Sequence, residues 1–264
     1  MFFNNRTNKV IICSLVWVIL CAFGSYKPRE ITIYLIGDST VADYTLEPDY
    51  KSKRYPLVGW GQEFSAFFAK DSLHQLKHLL GHVDRITIDD RAKGGRSTRT
   101  FFQEGRWSAV YRALKKGDIV MMQFGHNDGA ENKPERYVDI MGYKEFLRLF
   151  VLQSRQQGAT PILLTPVARN YPWKDGRLEN VHGEYPRAVM DVAKELDVKL
   201  IDLNQLSMDH FSKVGQNYVT ENYFMNFPSG KFPAYPDGQK DNTHFQKAGG
   251  KAVAQLVFNA LKTL

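Results

Sequence analysis

The stretch Ile31-Thr-Ile-Tyr-Leu-Ile-Gly-Asp-Ser-Thr40 decides the fold that is predicted for this chain of 264 residues. Its apolar, β-branched run predicts a buried strand, and Gly37-Asp-Ser39 predicts a tight turn at the carboxyl end of that strand. Ligands of open α/β sheets bind outside the carboxyl ends of the strands. Ser39 is therefore expected at the mouth of a cleft, where it needs a base and an oxyanion hole to act as a nucleophile.

Apolar runs with strand character alternate along the chain with segments of helical periodicity. The predicted strands are Ile31 to Ile36, Ile86 to Asp89, Asp118 to Phe124, Thr160 to Thr165 and Lys199 to Leu203. The predicted helices are Gly61 to Lys70, Arg106 to Leu114, Ile140 to Gln157, Tyr185 to Leu196 and Gln246 to Leu264. This alternation predicts an α/β fold with three α/β/α layers, a five-stranded parallel sheet and the flavodoxin-like strand order 2-1-3-4-5. The aromatic-rich region from Phe211 to Asp241 is expected to be irregular and to pack as a wall of the active site.

The amino-terminal residues have the features of a secretory signal peptide. Arg6 and Lys9 precede an apolar run from Val10 to Phe23, and Ala22-Phe-Gly24 fits a signal-peptidase site. The run is shorter than the roughly 20 apolar residues of a comfortable transmembrane span. We expect residues 1–24 to be removed, leaving one domain, 25–264, that is secreted or periplasmic and not bound to a membrane. An uncleaved anchor or a lipoprotein signal at Cys21 is the alternative.

Charge and cysteine content restrict the function further. The net charge of +7 suits an acidic polymer, although a scattered solvated surface gives the same sum. No basic tract interleaved with aromatic residues indicates nucleic-acid binding. Cys13 and Cys21 both lie in the predicted signal, so no thiolate nucleophile or disulfide is expected. His74, His78 and His82 follow four-residue steps, which fits either a zinc site or a solvated helix face.

Asp241-Asn-Thr-His244 supplies a carboxylate and an imidazole three residues apart, just before the last predicted helix. On a turn, the Asp241 carboxylate can bind one ring nitrogen of His244. That bond fixes the tautomer whose other nitrogen accepts a proton from Ser39. A helix-capping aspartate beside a surface histidine is the alternative interpretation.

Two loops offer donors for the oxyanion of a tetrahedral intermediate. Asn127 follows the third predicted strand and carries a side-chain amide, and Gly95 lies in a glycine turn after the second strand. His126 is interpreted as a structural or substrate-lining residue and not as the base. The glycine turn lacks the Walker and GxGxxG patterns, so a phosphate cradle is disfavoured. Ser97 in the same turn is expected to bind backbone groups.

Together these blocks resemble the SGNH (GDSL-type) hydrolase superfamily. Gly37-Asp-Ser-Thr, Gly95, Gly125-His-Asn-Asp and Asp241-x-x-His244 occur in the order that is typical of it. The stretches Gly59-Trp-Gly-Gln, Ala92-Lys-Gly-Gly-Arg-Ser, Glu104-Gly-Arg-Trp and Thr165-Pro-Val-Ala-Arg are similar to its rhamnogalacturonan acetylesterase group. The resemblance implies an SGNH hydrolase catalytic domain over 25–264. It also implies Ser39, Asp241 and His244 as the catalytic triad, and the Ser39 N–H, the Gly95 N–H and the Asn127 amide as the oxyanion hole.

The resemblance further implies a serine esterase that removes O-acetyl groups from a plant cell-wall polysaccharide, with rhamnogalacturonan as the expected substrate. Thr40, Arg96, His126 and Arg169 are expected to bind this acetylated acidic polysaccharide. No cofactor or metal is required, no nucleic-acid partner is expected, and the protein is expected to be a monomer. A lipid-active esterase or thioesterase and a non-catalytic pectin-binding protein are the alternatives.

One residue departs from the pattern of the group. Asp90 stands where the group usually has Asn at the start of the second block. A carboxylate accepts hydrogen bonds but does not donate them. Any hydrogen bond that the Asn amide gives must therefore be lost or replaced in this chain.

Overall fold

The computed structural model describes residues 28–264. The predicted signal at residues 1–24 lies outside them. The strands are β1 (Glu30–Gly37), β2 (Arg85–Asp90), β3 (Ile119–Gln123), β4 (Thr160–Leu164), β5 (Trp173–Lys174), β6 (Arg177–Leu178), β7 (Lys199–Ile201), β8 (Phe224–Phe227) and β9 (Gln239–Phe245). Five of them form a parallel sheet in the order β2-β1-β3-β4-β7, which confirms the predicted strand order.

Helices cover both faces of this sheet. They are α1 (Trp60–Phe64), α2 (Lys77–Leu80), α3 (Thr98–Gln103), α4 (Arg106–Ala113), α5 (Ile140–Gln156), α6 (Tyr185–Glu195), α7 (Leu203–Val214), α8 (Gln216–Tyr218) and α9 (Lys247–Leu261). Ile33 and Leu35 pack in a core with α1, α7 and α9, whereas Tyr34 and Ile36 pack in a second core with α4, α5 and α6. Because side chains alternate along a strand, the two cores lie on opposite faces. The predicted α/β/α layering is confirmed.

The longest helix, α5, shows how the sequence forms these layers. Asp139 caps its amino end by accepting a hydrogen bond from the Gly142 N–H. Tyr143, Leu147 and Phe150 recur at helical spacing and are fully buried against the sheet. Each such side chain stabilises the fold by about 1.5–3 kcal/mol relative to the exposed state.

The aromatic-rich region after α7 is more regular than the sequence predicts. An antiparallel hairpin pairs β8 with β9, with Phe224 opposite Phe245 and Phe227 opposite Gln239. The prediction of an irregular segment is wrong here, because β9 is almost entirely polar and lacks the alternation that marks a half-buried strand. Pairing with β8 orders this segment, and Phe211 packs against both Phe224 and Phe245.

The three histidines at four-residue steps do not share a helix. His74 lies in a 3₁₀ helix over Lys70–Leu76, His78 lies in α2, and His82 follows the end of α2. Within residues 28–264, no group of three or more His, Cys, Asp or Glu side chains could hold a metal ion. In the same part of the chain, no helix is both long enough and apolar enough to span a bilayer.

Candidate active site

Ser39 lies in the turn that follows β1, at the carboxyl edge of the sheet. Asp38 shapes the turn, because its Oδ1 accepts hydrogen bonds from the Thr40 N–H at 2.9 Å and the Thr40 hydroxyl at 2.8 Å. Gly37 is required just before it, since a Cβ there would lie 2.5 Å from the carbonyl oxygen of Gln123. The turn leaves Ser39 7% exposed, at the wall of a cavity.

Ser39, His244 and Asp241 form a continuous chain of hydrogen bonds. The Ser39 Oγ lies 2.9 Å from His244 Nε2, and His244 Nδ1 lies 2.7 Å from Asp241 Oδ2. Asp241 Oδ1 also accepts hydrogen bonds from the backbone N–H groups of Thr243 and His244. Partial burial acts to raise the pKa of Asp241, but the imidazole of His244 and these donors lower it to about 2. Asp241 is therefore ionised at neutral pH.

Three asparagines hold the segment that carries Asp241. Asn226 on β8 donates from Nδ2 to the Asp241 carbonyl oxygen, and its Oδ1 accepts from the Asp241 N–H. Asn242 Oδ1 accepts from the amides of both Asn170 and Asn226 at 2.9 Å. The Asn170 N–H in turn donates to the Asn242 carbonyl oxygen. Sequence reasoning did not find these residues, because Asn170 lies in the loop after β4, Asn226 lies on β8, and the two are distant in the sequence.

The glycine turn after β2 packs directly against the nucleophile. A Cβ on Gly94 would lie 3.7 Å from the Ser39 Cβ, and the next residue, Gly95, has a φ of 80°. This left-handed conformation favours glycine. Gly95 and Asn127 line the same cavity as Ser39, so the structure brings the predicted oxyanion donors to the nucleophile.

The amide of Asn127 is oriented by two hydrogen bonds. Its Oδ1 accepts from the Arg136 guanidinium at 2.9 Å, and its Nδ2 donates to the Arg96 carbonyl oxygen at 3.1 Å. An amide nitrogen has two N–H donors. One of them is left for an oxyanion in the cavity.

Residues 35–252 match the GDSL-like lipase/acylhydrolase family. The chain belongs to this family. The rhamnogalacturonan acetylesterase RhgT of Bacillus subtilis (strain 168) is 36% identical over 236 residues, which are 89% of this chain and 91% of that protein. The probable rhamnogalacturonan acetylesterase YesY of the same organism is 36% identical over 88% of this chain and 93% of its own length. As a member of this family, the protein is a carboxylic ester hydrolase with a Ser-His-Asp triad.

Solved structures of similar proteins agree with the fold. The crystal structure of YxiM from Bacillus subtilis superposes with a TM-score of 0.70 at 27% identity, over 89% of this chain and 57% of that one. An acetylxylan esterase from Geobacillus stearothermophilus superposes with a TM-score of 0.58 over 89% of this chain and 95% of that one. At 16% identity the second likeness shows the fold alone.

Asp128 connects the loop after β3, which carries Asn127, to the start of α3, which follows the glycine turn. Its Oδ1 accepts from the N–H and the hydroxyl of Thr98 at the start of α3, and its Oδ2 accepts from the Gly125 N–H. Burial raises the pKa of Asp128 to about 7, although the Thr98 donors act to lower it. The contact fixes the loop that carries Asn127. Sequence reasoning placed Asp128 in a motif without finding this partner.

Thr40 and His126, both expected to bind substrate, are placed differently by the fold, because His126 lines the cavity and Thr40 does not. Thr40 is fully buried, and its hydroxyl accepts a hydrogen bond from Gln123 Nε2 at 2.7 Å, away from the cavity. His126 borders the cavity, but both ring nitrogens are enclosed and make no hydrogen bond of good geometry. Its Nδ1 lies 3.3 Å from Asp38 Oδ2, and burial lowers the pKa of His126. The imidazole of His126 therefore packs against the turn that carries Ser39, beside the Asp38 carboxylate.

The two carboxylate oxygens of Asp90 have different surroundings. Its Oδ1 accepts from the Ala92 N–H at 2.9 Å, and this bond braces the start of the glycine turn. Its Oδ2 is buried and has no hydrogen-bond partner. Burial, with the nearby charges of Asp43 and Asp89, raises the pKa of Asp90 well above its usual value.

The cavity beside the triad has a volume of about 860 Å³, which suits a sugar-sized ligand. Its lining is mostly polar and includes six cationic side chains and two carboxylates. Arg96 and Arg169, both expected to bind substrate, lie in this wall. Arg96 forms a bidentate ion pair with Glu104, whereas Arg169 donates to the Tyr171 hydroxyl.

Proposed function

We propose that this protein is a serine esterase that removes O-acetyl groups from rhamnogalacturonan or a closely related acidic polysaccharide of plant cell walls. The observation that carries the proposal is the hydrogen-bonded chain from Ser39 to Asp241, which opens into a polar cavity rich in cationic side chains. Support comes from the relatives at 36% identity, which are named rhamnogalacturonan acetylesterases.

The geometry accounts for acylation of the enzyme. His244 Nε2 accepts the Ser39 proton as the Ser39 Oγ attacks the acetyl carbonyl carbon. Asp241 holds the ring in the correct tautomer and stabilises the imidazolium that forms. The negative oxygen of the tetrahedral intermediate accepts hydrogen bonds from the Ser39 and Gly95 N–H groups and from the Asn127 amide. In other enzymes, one such donor lowers the activation free energy by about 3–4 kcal/mol.

Breakdown of the intermediate releases the sugar hydroxyl. The carbon–oxygen bond to the sugar breaks, His244 returns the proton to the leaving oxygen, and Ser39 keeps the acetyl group. His244 then takes a proton from water, whose oxygen attacks the acetyl carbon and forms a second tetrahedral intermediate. As this intermediate collapses, the bond between the acetyl carbon and the Ser39 Oγ breaks, His244 returns the proton to that Oγ, and acetic acid is released.

The lining of the cavity favours a polysaccharide over a lipid substrate. A long acyl chain needs a continuous apolar groove, whereas Arg96, Lys93 and Arg136 all lie in this wall. Activity that rises from acetyl to octanoyl esters would support the lipid-active alternative. A non-catalytic pectin-binding protein would not need the hydrogen-bonded triad.

The Ser39→Ala variant tests the mechanism. It should abolish hydrolysis of p-nitrophenyl acetate and acetate release from acetylated rhamnogalacturonan, because His244 Nε2 then has no hydroxyl to activate. Its melting temperature should remain close to that of the wild type, since only one hydroxyl is removed. Near-normal turnover by the variant would refute the mechanism. Acetate release from acetylated xylan but not from rhamnogalacturonan would refute the substrate assignment.

We also propose that the protein acts outside the cytoplasm, in the periplasm or after export, and as a monomer. The proposed location rests on the amino-terminal sequence, in which Arg6 and Lys9 precede an apolar run and a small-x-small site. A polymeric cell-wall substrate is consistent with this location.

A further inference from the structure

The cations of the cavity wall differ in how their charge is compensated. The six are Arg54, Lys93, Arg96, Lys133, Arg136 and Arg169. Four of them lie within 4.0 Å of a carboxylate: Glu47 pairs with two, and Glu104 and Glu135 with one each. Lys133 and Arg169 have no carboxylate within that distance among residues 28–264. Lys133 is exposed to solvent, whereas Arg169 is half-buried.

Arg169 is held in place by neutral groups. Its Nη1 donates to the Tyr171 hydroxyl at 3.0 Å, and its Nη2 donates to the His126 carbonyl oxygen at 3.4 Å. A guanidinium has five N–H donors in a rigid plane, and most of those of Arg169 remain unused. A half-buried charge that is positioned but not neutralised favours an anionic ligand.

Arg169 lies close in the structure to the loop that carries Asn127 and to the segment that carries Asp241 and His244. His126, whose carbonyl oxygen it binds, precedes the oxyanion residue Asn127 in the chain. Asn170, which follows Arg169, binds Asn242 in the segment that carries the triad base. Arg169 is thus anchored between the oxyanion loop and the triad loop.

Tyr171 adds an aromatic surface to this part of the wall. Tyr171 is 38% exposed, and its ring centroid lies 6.0 Å from the Arg169 guanidinium carbon. Exposed tyrosine rings offer an apolar face to a sugar together with a polar tip. The pair therefore presents a cation for an acidic group beside a flat surface for a pyranose ring.

We propose that Arg169 binds the carboxylate of a uronic acid within one sugar of the acetyl ester, with Tyr171 packed against the sugar ring. The inference rests on the proposed function and adds the residues that recognise the acidic backbone. A carboxylate binds the guanidinium through two parallel N–H donors, a geometry that a lysine does not reproduce. Loss of one charge-assisted contact of this kind lowers kcat/KM by about 10- to 100-fold.

The test compares the Arg169→Gln and Arg54→Gln variants on three substrates. These are acetylated rhamnogalacturonan oligosaccharides, the same oligosaccharides with methyl-esterified carboxylates, and p-nitrophenyl acetate. Arg54→Gln removes the same charge from the same cavity, but Glu47 already neutralises that guanidinium at 3.3 Å. Arg169→Lys serves as a second variant that keeps the charge and lacks the planar donors.

The expected result is a substrate-dependent loss. Wild-type kcat/KM should fall about 10- to 100-fold when the carboxylates are esterified. Arg169→Gln should lose a similar factor on the acidic oligosaccharides and much less on the esterified ones, so the two changes are not additive. Arg54→Gln should lose less than about threefold on all three substrates. Arg169→Lys should fall between the wild type and Arg169→Gln.

Three results would overturn the assignment. Equal losses for Arg169→Gln and Arg54→Gln would show a general charge effect instead of a specific contact. Equal wild-type activity on acidic and esterified oligosaccharides would show that the carboxylate is not recognised, even though the proposed deacetylation stands. If the wild type hydrolyses p-nitrophenyl acetate but releases no acetate from the acidic oligosaccharides, the proposed function fails and the subsite fails with it.

Discussion

Replacing Asp90 by Asn tests how a buried carboxylate is tolerated behind the glycine turn. Asp90 Oδ2 is enclosed without a hydrogen-bond partner, while Oδ1 accepts from the Ala92 N–H. An Asn side chain has the same shape, and its amide oxygen can keep the Ala92 contact. The substitution therefore removes a buried charge and leaves the brace of the turn in place.

The sign of the effect follows from the pKa of Asp90, which burial raises in the folded protein. In the unfolded chain an aspartate has a pKa of about 3.9. The protonated side chain contributes its full stability below that pH, and the contribution is lost as pH rises through the folded pKa. Each unit by which burial raises the folded pKa destabilises the charged side chain by about 1.4 kcal/mol at a pH above the folded pKa. The Asn amide is equally buried but carries no charge, so the Asp90→Asn variant should be more stable than the wild type by at least about 1.4 kcal/mol at pH 8, and the difference should disappear near pH 4.

Thermal unfolding of both proteins between pH 4 and pH 8 measures this difference. For a protein of this size, 1 kcal/mol corresponds to a shift of about 2–4 °C in melting temperature. Asp89→Asn is the matched control, because Asp89 lies on the same strand but pairs with Arg91 at 2.6 Å. That variant should show no gain in stability at pH 8. A difference between Asp90→Asn and the wild type that is the same at pH 4 and pH 8 would refute the reasoning.

Two further variants test contacts around Ser39. Asp241→Asn should lower kcat on p-nitrophenyl acetate by about 10⁴-fold, because an amide favours the wrong tautomer of His244; a loss below tenfold would contradict the role of Asp241. Gln123→Leu leaves the Trp60 indole N–H, now 2.9 Å from Gln123 Oε1, without an acceptor in the core. It should lower the free energy of unfolding by about 1–3 kcal/mol in urea denaturation, and unchanged stability would show that the side chains repack.

The sequence predicted those parts of the fold that depend on local pattern. Strands such as Ile119–Gln123 are fully buried, and parallel strands of this kind appear as continuous apolar runs. The positions of Ser39 and Asn127 followed from this, because both come directly after such runs. Shared strand ends then predicted that these residues meet at one edge of the sheet.

The parts that sequence reasoning missed depend on contacts between distant residues. Asn170 and Asn242 are 72 residues apart, and neither has a local pattern that indicates its partner. Thr98 and Asp128 meet across 30 residues for the same reason. Thr40, which the resemblance implied as a substrate-binding residue, accepts a hydrogen bond from Gln123 across 83 residues, and no local pattern of the sequence indicates that contact either.

The order of the catalytic residues along the chain affects when activity first arises during folding. Ser39 and His244 are 205 positions apart, whereas the last strand of the central sheet ends at Ile201. All five strands of the sheet, with Ser39 at its edge, thus precede the segment that carries the base. Until the final hairpin docks, with the Val58 N–H donating to the Phe245 carbonyl oxygen, Ser39 remains an ordinary alcohol. The chain therefore becomes an esterase only when its last segment has folded into place.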